Sequence, residues 1–339
     1  AMGIAGAINA QNKLGQDLDG NLGGNLFTPL EPAVVAHPQN TGTASMSATV
    51  SDHTGLTGDN YSLYYDGSQY VLTNLTTEAS QTGAGPFTID GMTITPSGAA
   101  NAGDRFLINT ATNAARTFDV AFSRPEEIAA ASPLRVDANA SNVGTAEISL
   151  QSLSDTSALP LASAAVLTFD PDALGAGVPG FVVSGGLTGG PLAYNPATDS
   201  DGVSFTLGDV SIEVSGVPQD GDSLSIGNNS GGVGDNRNAL AMSDLQTNDV
   251  LRGSTASFSD VYGGLVADIG VSAQRAQNSA NSEQVLLDEA KAAKESVSGV
   301  NLDEEAANLL RFQQAYQAAA QVITVADQMF QTLLSATRR

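Results

Sequence analysis

Residues 301–334 read NLDEEAANLLRFQQAYQAAAQVITVADQMFQTLL. Leu302, Leu309, Tyr316, Ile323 and Phe330 fall seven residues apart, and Phe312, Ala319, Ala326 and Leu333 each follow one of them by three. Apolar a and d positions at this period predict a helix that supercoils against another helix. Asn301 stands as an N-cap with Glu304 at N3, a capping-box variant. Asp303, Glu304 and Glu305 fit the acidic first turn that a helix dipole favours, which accounts for them better than a catalytic carboxylate pair does. Alanines at two d positions allow close approach of a neighbour. A lone helix cannot bury such a stripe, so Leu302, Leu309, Phe312, Tyr316, Ile323, Phe330 and Leu333 are the expected assembly interface.

Upstream, Ser259–Val297 has few breakers, and Tyr262, Leu265, Val266, Ile269, Ala273, Ala276, Ala280 and Leu287 recur at three- and four-residue spacing. This predicts a second long helix, stopped at Ser298-Gly299, which could cover part of the stripe, while a helix outside this sequence could cover the rest. Asn236–Leu245 reads as a short helix, and residues 4–14 as the last turns of another.

From about Glu31 to Gly234 the period changes to two. Short alternating runs are separated by Gly, Asn, Asp and Pro, which predicts β-strands. Tyr61–Tyr65 and Gln69–Leu72, joined through Asp66-Gly67, form a candidate hairpin. The region repeats itself. Asn40-Thr41-Gly42-Thr43-Ala44 recurs as Asn142-Val143-Gly144-Thr145-Ala146. Phe87, Thr88, Met92, Ile94, Gly98, Gly103, Asp104, Phe106 and Ile108 recur as Phe205, Thr206, Val210, Ile212, Gly216, Gly221, Asp222, Leu224 and Ile226. Both matches hold if the second copy carries about 16 extra residues between them, within 150–200. The expected fold is α+β: two related mainly-β domains followed by a long, coiled-coil-like α-helical region. Its expected divisions are 1–30 (end of an N-terminal helical region and a bend), 31–131 and 132–235 (the two β domains), and 236–339 (the helical assembly region).

The formal net charge is −23 over 339 residues, and Lys13 is the only lysine in the first 259. Such a surface repels phosphate backbones and anionic lipid, so neither nucleic acid nor membrane is an expected partner. It also keeps exposed sheet edges apart. The absence of cysteine excludes disulfides, thiolate metal sites and Cys nucleophiles. No run of about 20 apolar residues could span a bilayer. The start, Ala1-Met2-Gly3, lacks the basic and apolar regions of a signal peptide. The chain is therefore expected to be a fragment, or to be exported without a cleaved signal.

Little in the sequence points to chemistry. His37 and His53, the two histidines, read as solvent-facing loop residues. No Gly-x-Ser-x-Gly elbow occurs. Asp17-Leu18-Asp19-Gly20-Asn21 hints at calcium, but an EF-hand needs Gly where Leu22 stands and Glu where Thr28 stands. An Asx turn fits better. Asp199-Ser200-Asp201-Gly202 is likewise a turn, and Gly231–Asn236 a linker. No catalytic residue, cofactor site or metal site is expected, and the chain is not expected to be an enzyme.

Residues 300–323, with the continuation Val325–Leu334, resemble the C-terminal helix of the flagellar rod, hook and hook-associated protein family. The Asn-Ala-Gln…Asp-Leu-Asp-Gly-Asn segment within Ile8–Asn21, the segment Asp235–Ala241 and the Ser-Phe-Ser-Asp-x-Tyr segment at Ser257–Tyr262 favour its hook-associated protein 1 branch. The likeness is strong at both ends of the chain and loose in the β middle. It implies a structural, extracellular part of the bacterial flagellum that joins hook to filament, with the terminal helices of one chain pairing with each other and lining the core, and β domains projecting outward. The partners so implied are the hook protein, hook-associated protein 3, further copies of itself in a ring or helical assembly, and an export chaperone on the C-terminal helix during type III export. The resemblance places this chain in the C-terminal portion of such a protein. The alternative is an acidic β-domain surface adhesin, which an exposed tyrosine cluster among Tyr61, Tyr64, Tyr65 and Tyr70 would support.

Overall fold

The computed structural model describes residues 1–110, 114–298 and 302–337; of Val297, Ser298 and Leu302 it describes the backbone alone. The chain divides into two units, Ala1–Gly263 and Gly264–Arg339.

In the first unit, helix α1 (Met2–Lys13) leads through a bend into eight antiparallel strands. These are β1 (Ala33–Ala36), β2 (Ser45–Val50), β3 (Tyr61–Tyr65), β4 (Tyr70–Asn74), β5 (Ser80–Gly83), β6 (Phe87–Ile89), β7 (Met92–Ser97) and β8 (Arg105–Asn109). They form two sheets, β1-β8-β3-β4-β5 and β2-β7-β6. Alternate residues of both sheets close on one core: Tyr61, Leu63 and Leu72 from one, Phe87, Met92 and Ile94 from the other, with Phe106 and Ile108 from β8. The hairpin predicted at 61–72 is β3 paired with β4, in register Tyr61↔Asn74 to Tyr65↔Tyr70.

Eight further strands follow: β9 (Leu134–Ala138), β10 (Glu147–Leu153), β11 (Ala165–Asp170), β12 (Gly180–Gly185), β13 (Leu192–Ala193), β14 (Val203–Leu207), β15 (Val210–Ser215) and β16 (Ser223–Asn228). Their sheets run β9-β16-β11-β12-β13 and β10-β15-β14, the order of the first sandwich strand for strand. The repeat is therefore one of topology as well as sequence. Val210, Ile212, Leu224 and Ile226 are buried where Met92, Ile94, Phe106 and Ile108 are buried. The turn glycines also coincide: Gly98 (φ +76°) with Gly216 (φ +86°), and Gly103 (φ +99°) with Gly221 (φ +85°). The extra length of the second copy lies in loops. Residues 171–179 stand where the first copy turns through Asp66–Gln69, and 194–202 stand where it has 84–86. The second insertion supplies Tyr194, 1% exposed, which fills the core against Phe181 and donates its hydroxyl to the Gly216 carbonyl.

A joint of amide side chains ties these parts together. Asn9 accepts from the Leu26 and Phe27 N–H groups, and Asn12 accepts from the Ala129 N–H while donating to the Gly24 carbonyl. Asn238 of the short helix α2 (Arg237–Asp244) donates to the Gln11 and Ala129 carbonyls. Asp235 closes the base of the second sandwich, accepting from Asn229, Ser132 and Arg237. Burial works against ionisation of Asp235, but the Arg237 guanidinium and backbone N–H outweigh it and hold the carboxyl below the usual range.

The second unit carries most of α3 (Phe258–Ser298) and all of α4 (Leu302–Thr337). α3 starts on a reciprocal cap: Ser257 donates its N–H and hydroxyl to Asp260, whose own N–H returns to the Ser257 hydroxyl. The cap predicted at Asn301 and the stop at Gly299 lie outside the described residues.

Candidate assembly interface

A helix of 36 residues is about 54 Å long, and every described side chain of α4 is exposed. The sequence allowed α3 to cover part of the α4 stripe. It does not: α3 is itself exposed from Leu265 to Ser296, so both helices present apolar residues with no intrachain partner among the described residues. Leu309 is 60% exposed, Phe312 73%, Tyr316 79%, Ile323 69%, Phe330 61% and Leu333 64%. The Leu302 side chain lies outside the described residues. Covering residues of this kind is worth about 1.5–3 kcal/mol each, which none of the described residues supplies.

One feature escaped the heptad count. Ala315, Ala318, Val322, Val325 and Met329 form a second row with the same alternation of three and four, and Val322, Val325 and Met329 are all more than half exposed. At 100° per residue this row lies roughly 110° around the helix from the first. α4 therefore has two apolar seams, and one partner helix cannot cover both. A search for period-seven rows at every offset would have found the second.

The other sequence candidates resolve into structural roles. Asp17 accepts the Asn21 N–H and Gln16 donates to the Gly20 carbonyl, so the calcium-like stretch is a turn rich in Asp and Asn. Asp199 accepts the Asn195 N–H four residues back and closes a turn. His37 is exposed and its Nδ1 accepts from the Gln39 N–H. His53, expected to face solvent, is half-buried instead, because its loop is wedged against α1. No group of three His, Asp or Glu that could hold a metal exists among the described residues, and none of their helices is long and apolar enough to cross a membrane. The tyrosines make no exposed cluster. Tyr61 and Tyr70 are in the core, Tyr65 packs on Tyr70, and Tyr64 lies under the Arg105 guanidinium at 5.1 Å.

With this geometry in hand, the chain can be set beside known proteins. Residues 35–110, the first sandwich, match the family described as flagellar hook-associated protein 1, D2-like domain. Residues 295–336, which include nearly all of α4, match the family described as flagellar basal body rod FlgEFG protein C-terminal. The chain is 28% identical to flagellar hook-associated protein 1 of Salmonella typhimurium over 99% of its own length and 45% of that protein's. The corresponding figures for the Escherichia coli protein of the same name are 26%, 99% and 45%. Among solved structures, the flagellar hook junction protein FlgK from Burkholderia pseudomallei superposes with a TM-score of 0.75 at 31% identity, over 88% of this chain and 58% of that one. The chain thus spans less than half the length of these curated relatives. Sequence, topology and family matches agree at both ends and in the middle: the chain is a homologue of flagellar hook-associated protein 1, matching part of that protein along nearly the whole of its own length.

Proposed function

We propose that this chain is a structural component of the bacterial flagellum that joins hook to filament and assembles through α4. The observation that carries the reading is a 36-residue helix with an uncovered heptad stripe and a second apolar seam, matching the C-terminal family of rod proteins. Leu302, Leu309, Phe312, Tyr316, Ile323, Phe330 and Leu333 form the main contact, and the row from Ala315 to Met329 takes a second neighbour. The partners are the hook protein, hook-associated protein 3 and further copies of the chain. An export chaperone covers α4 beforehand, and the product works outside the cell without loss of a signal peptide. The two sandwiches, within 31–131 and 132–235, act as projecting domains on the joint between α1 and α2. The role requires no catalysis and no cofactor.

Immunogold labelling with antibody raised against the first sandwich tests the location. The expected result is label confined to the boundary between hook and filament. Label spread over the cell body would overturn the proposal and favour a surface adhesin.

A further inference from the structure

The loop between β2 and β3 is where the first sandwich meets the joint. Its His53 lies so close to α1 that a Cβ placed on Gly6 would stand 2.4 Å from the histidine Cβ and 2.9 Å from its Cγ. A Cβ on Gly3, one turn earlier, would stand 2.7 Å from Cδ2 of Leu251 and 3.8 Å from the His53 carbonyl oxygen. Both glycines lie within a regular helix. Close approach, not backbone conformation, is what demands glycine at position 6, whereas at position 3 the near atom is the movable tip of Leu251. From the other side the Gly253 N–H donates to the Thr54 carbonyl at 2.7 Å. A cleft of about 260 Å³ opens beside the contact, with His53 in its wall. The two chain connections pack on α1 through Leu30 and Ala114 against Ala5, and the seated loop adds a third point of support away from them.

We propose that this contact is a pH-sensitive latch: neutral His53, seated on the Gly3–Gly6 face of α1, holds the first sandwich against the joint, and protonation of His53 releases it. Four charged residues belong to the elements packed about His53. Asp52 neighbours it in the loop, with its carboxylate engaged by the Thr54 N–H and hydroxyl. Glu31, which accepts the Val50 N–H, and Lys13 of α1 line the cleft. Arg252 lies in the turn that packs on Thr54. Burial holds the imidazole below its usual range in spite of the Asp52 charge beside it. A group that binds its proton more readily when the loop is unseated drives unseating as the proton becomes available. The latch is therefore complete above about pH 6.5 and weakens as pH falls below it. Asp52 is held below the ordinary carboxylate range, chiefly by the Thr54 hydroxyl, and stays ionised through this window.

The chain has no cysteine, so spin labels can be placed singly at Val35→Cys in β1 and Leu240→Cys in α2, both exposed. At about pH 7.5 the distance distribution should be one narrow peak, and at about pH 5 a broad component should grow at its expense. His53→Leu, which cannot titrate, should keep the narrow peak at both values. Gly6→Val should lose it at both while the sandwiches still unfold cooperatively. An unchanged distribution between the two pH values in the labelled parent, or pH-dependent broadening that persists in His53→Leu, overturns the latch. Should Gly6→Val fail to fold, the comparison of parent with His53→Leu decides alone.

Discussion

Asp104 and Asp222 occupy the same place in successive sandwiches, and each gathers three backbone N–H groups. Asp104 accepts from Thr41, Gly42 and Asn101, and Asp222 from Val143, Gly144 and Gln219. In both copies the aspartate ties the segment before one strand to the turn before another, where no sheet ladder can satisfy those donors. The neighbouring asparagines repeat as well: Asn40 exchanges two hydrogen bonds with the Arg105 backbone, and Asn142 two with the Ser223 backbone.

Replacing either aspartate should destabilise its own sandwich only. Asp104→Ala is expected to lower the unfolding midpoint of the first sandwich by on the order of 5–10 °C and leave the second unchanged, as read by hydrogen exchange in β8 and β16. In both residues the backbone N–H groups hold the carboxyl below its ordinary range, with the Asn101 donor leading for Asp104 and the Gln219 donor for Asp222. A depressed folded-state pKa contributes stability that is present above the unfolded value of about 3.9 and is lost as pH falls through the folded value. Acid unfolding of both tips should therefore begin below about pH 4. In Asp104→Ala, this acid-dependent component should vanish from the first sandwich.

The glycines of the repeat differ in what they tolerate. A Cβ on Gly98 would meet the Thr43 carbonyl oxygen at 2.6 Å, whereas one on Gly103 meets nothing within 4 Å. Both have positive φ, so Gly103→Ala should cost only the left-handed strain of about 1–2 kcal/mol. Gly98→Ala should cost clearly more. Urea titration of the two variants gives the comparison directly.

Tyr194 makes a separable pair of contributions. Tyr194→Phe removes one part-buried hydrogen bond to the Gly216 carbonyl and should cost about 0.5–1.5 kcal/mol. Tyr194→Ala also empties its place beside Phe181 and should cost about 3–5 kcal/mol. Both losses belong to the second sandwich.

On α4 the two seams predict two separable defects. Leu309→Asp with Ile323→Asp should abolish incorporation into the flagellum and leave sandwich unfolding unchanged. Val322→Asp with Met329→Asp should also impair incorporation, although neither residue lies in the heptad stripe. Gln317→Ala with Thr324→Ala, on the face away from both seams, should assemble normally. Fractionation of sheared hooks by immunoblot reads all three.

Much of this architecture was legible because it rests on periodicity. The inward residues of β7 and β8 recur in β15 and β16, since a one-residue slip would turn them to solvent. The glycines at 98 and 216 recur because the chain turns there with positive φ. The placement of Tyr194 was not legible: an inserted loop carries no period, and its tyrosine enters the core only once the sheets have closed. His53 looked like a loop residue because the glycines that admit it lie in a helix far back along the chain. Within α4, counting only a and d positions hid the second seam.

The most direct test of a junction role removes α4 from the gene in its own bacterium by deleting residues 300–339. Cells are then examined by electron microscopy, and the medium is assayed for unpolymerised flagellin. The account predicts bare hooks with flagellin lost to the medium. Filaments of normal length on normal hooks would contradict it.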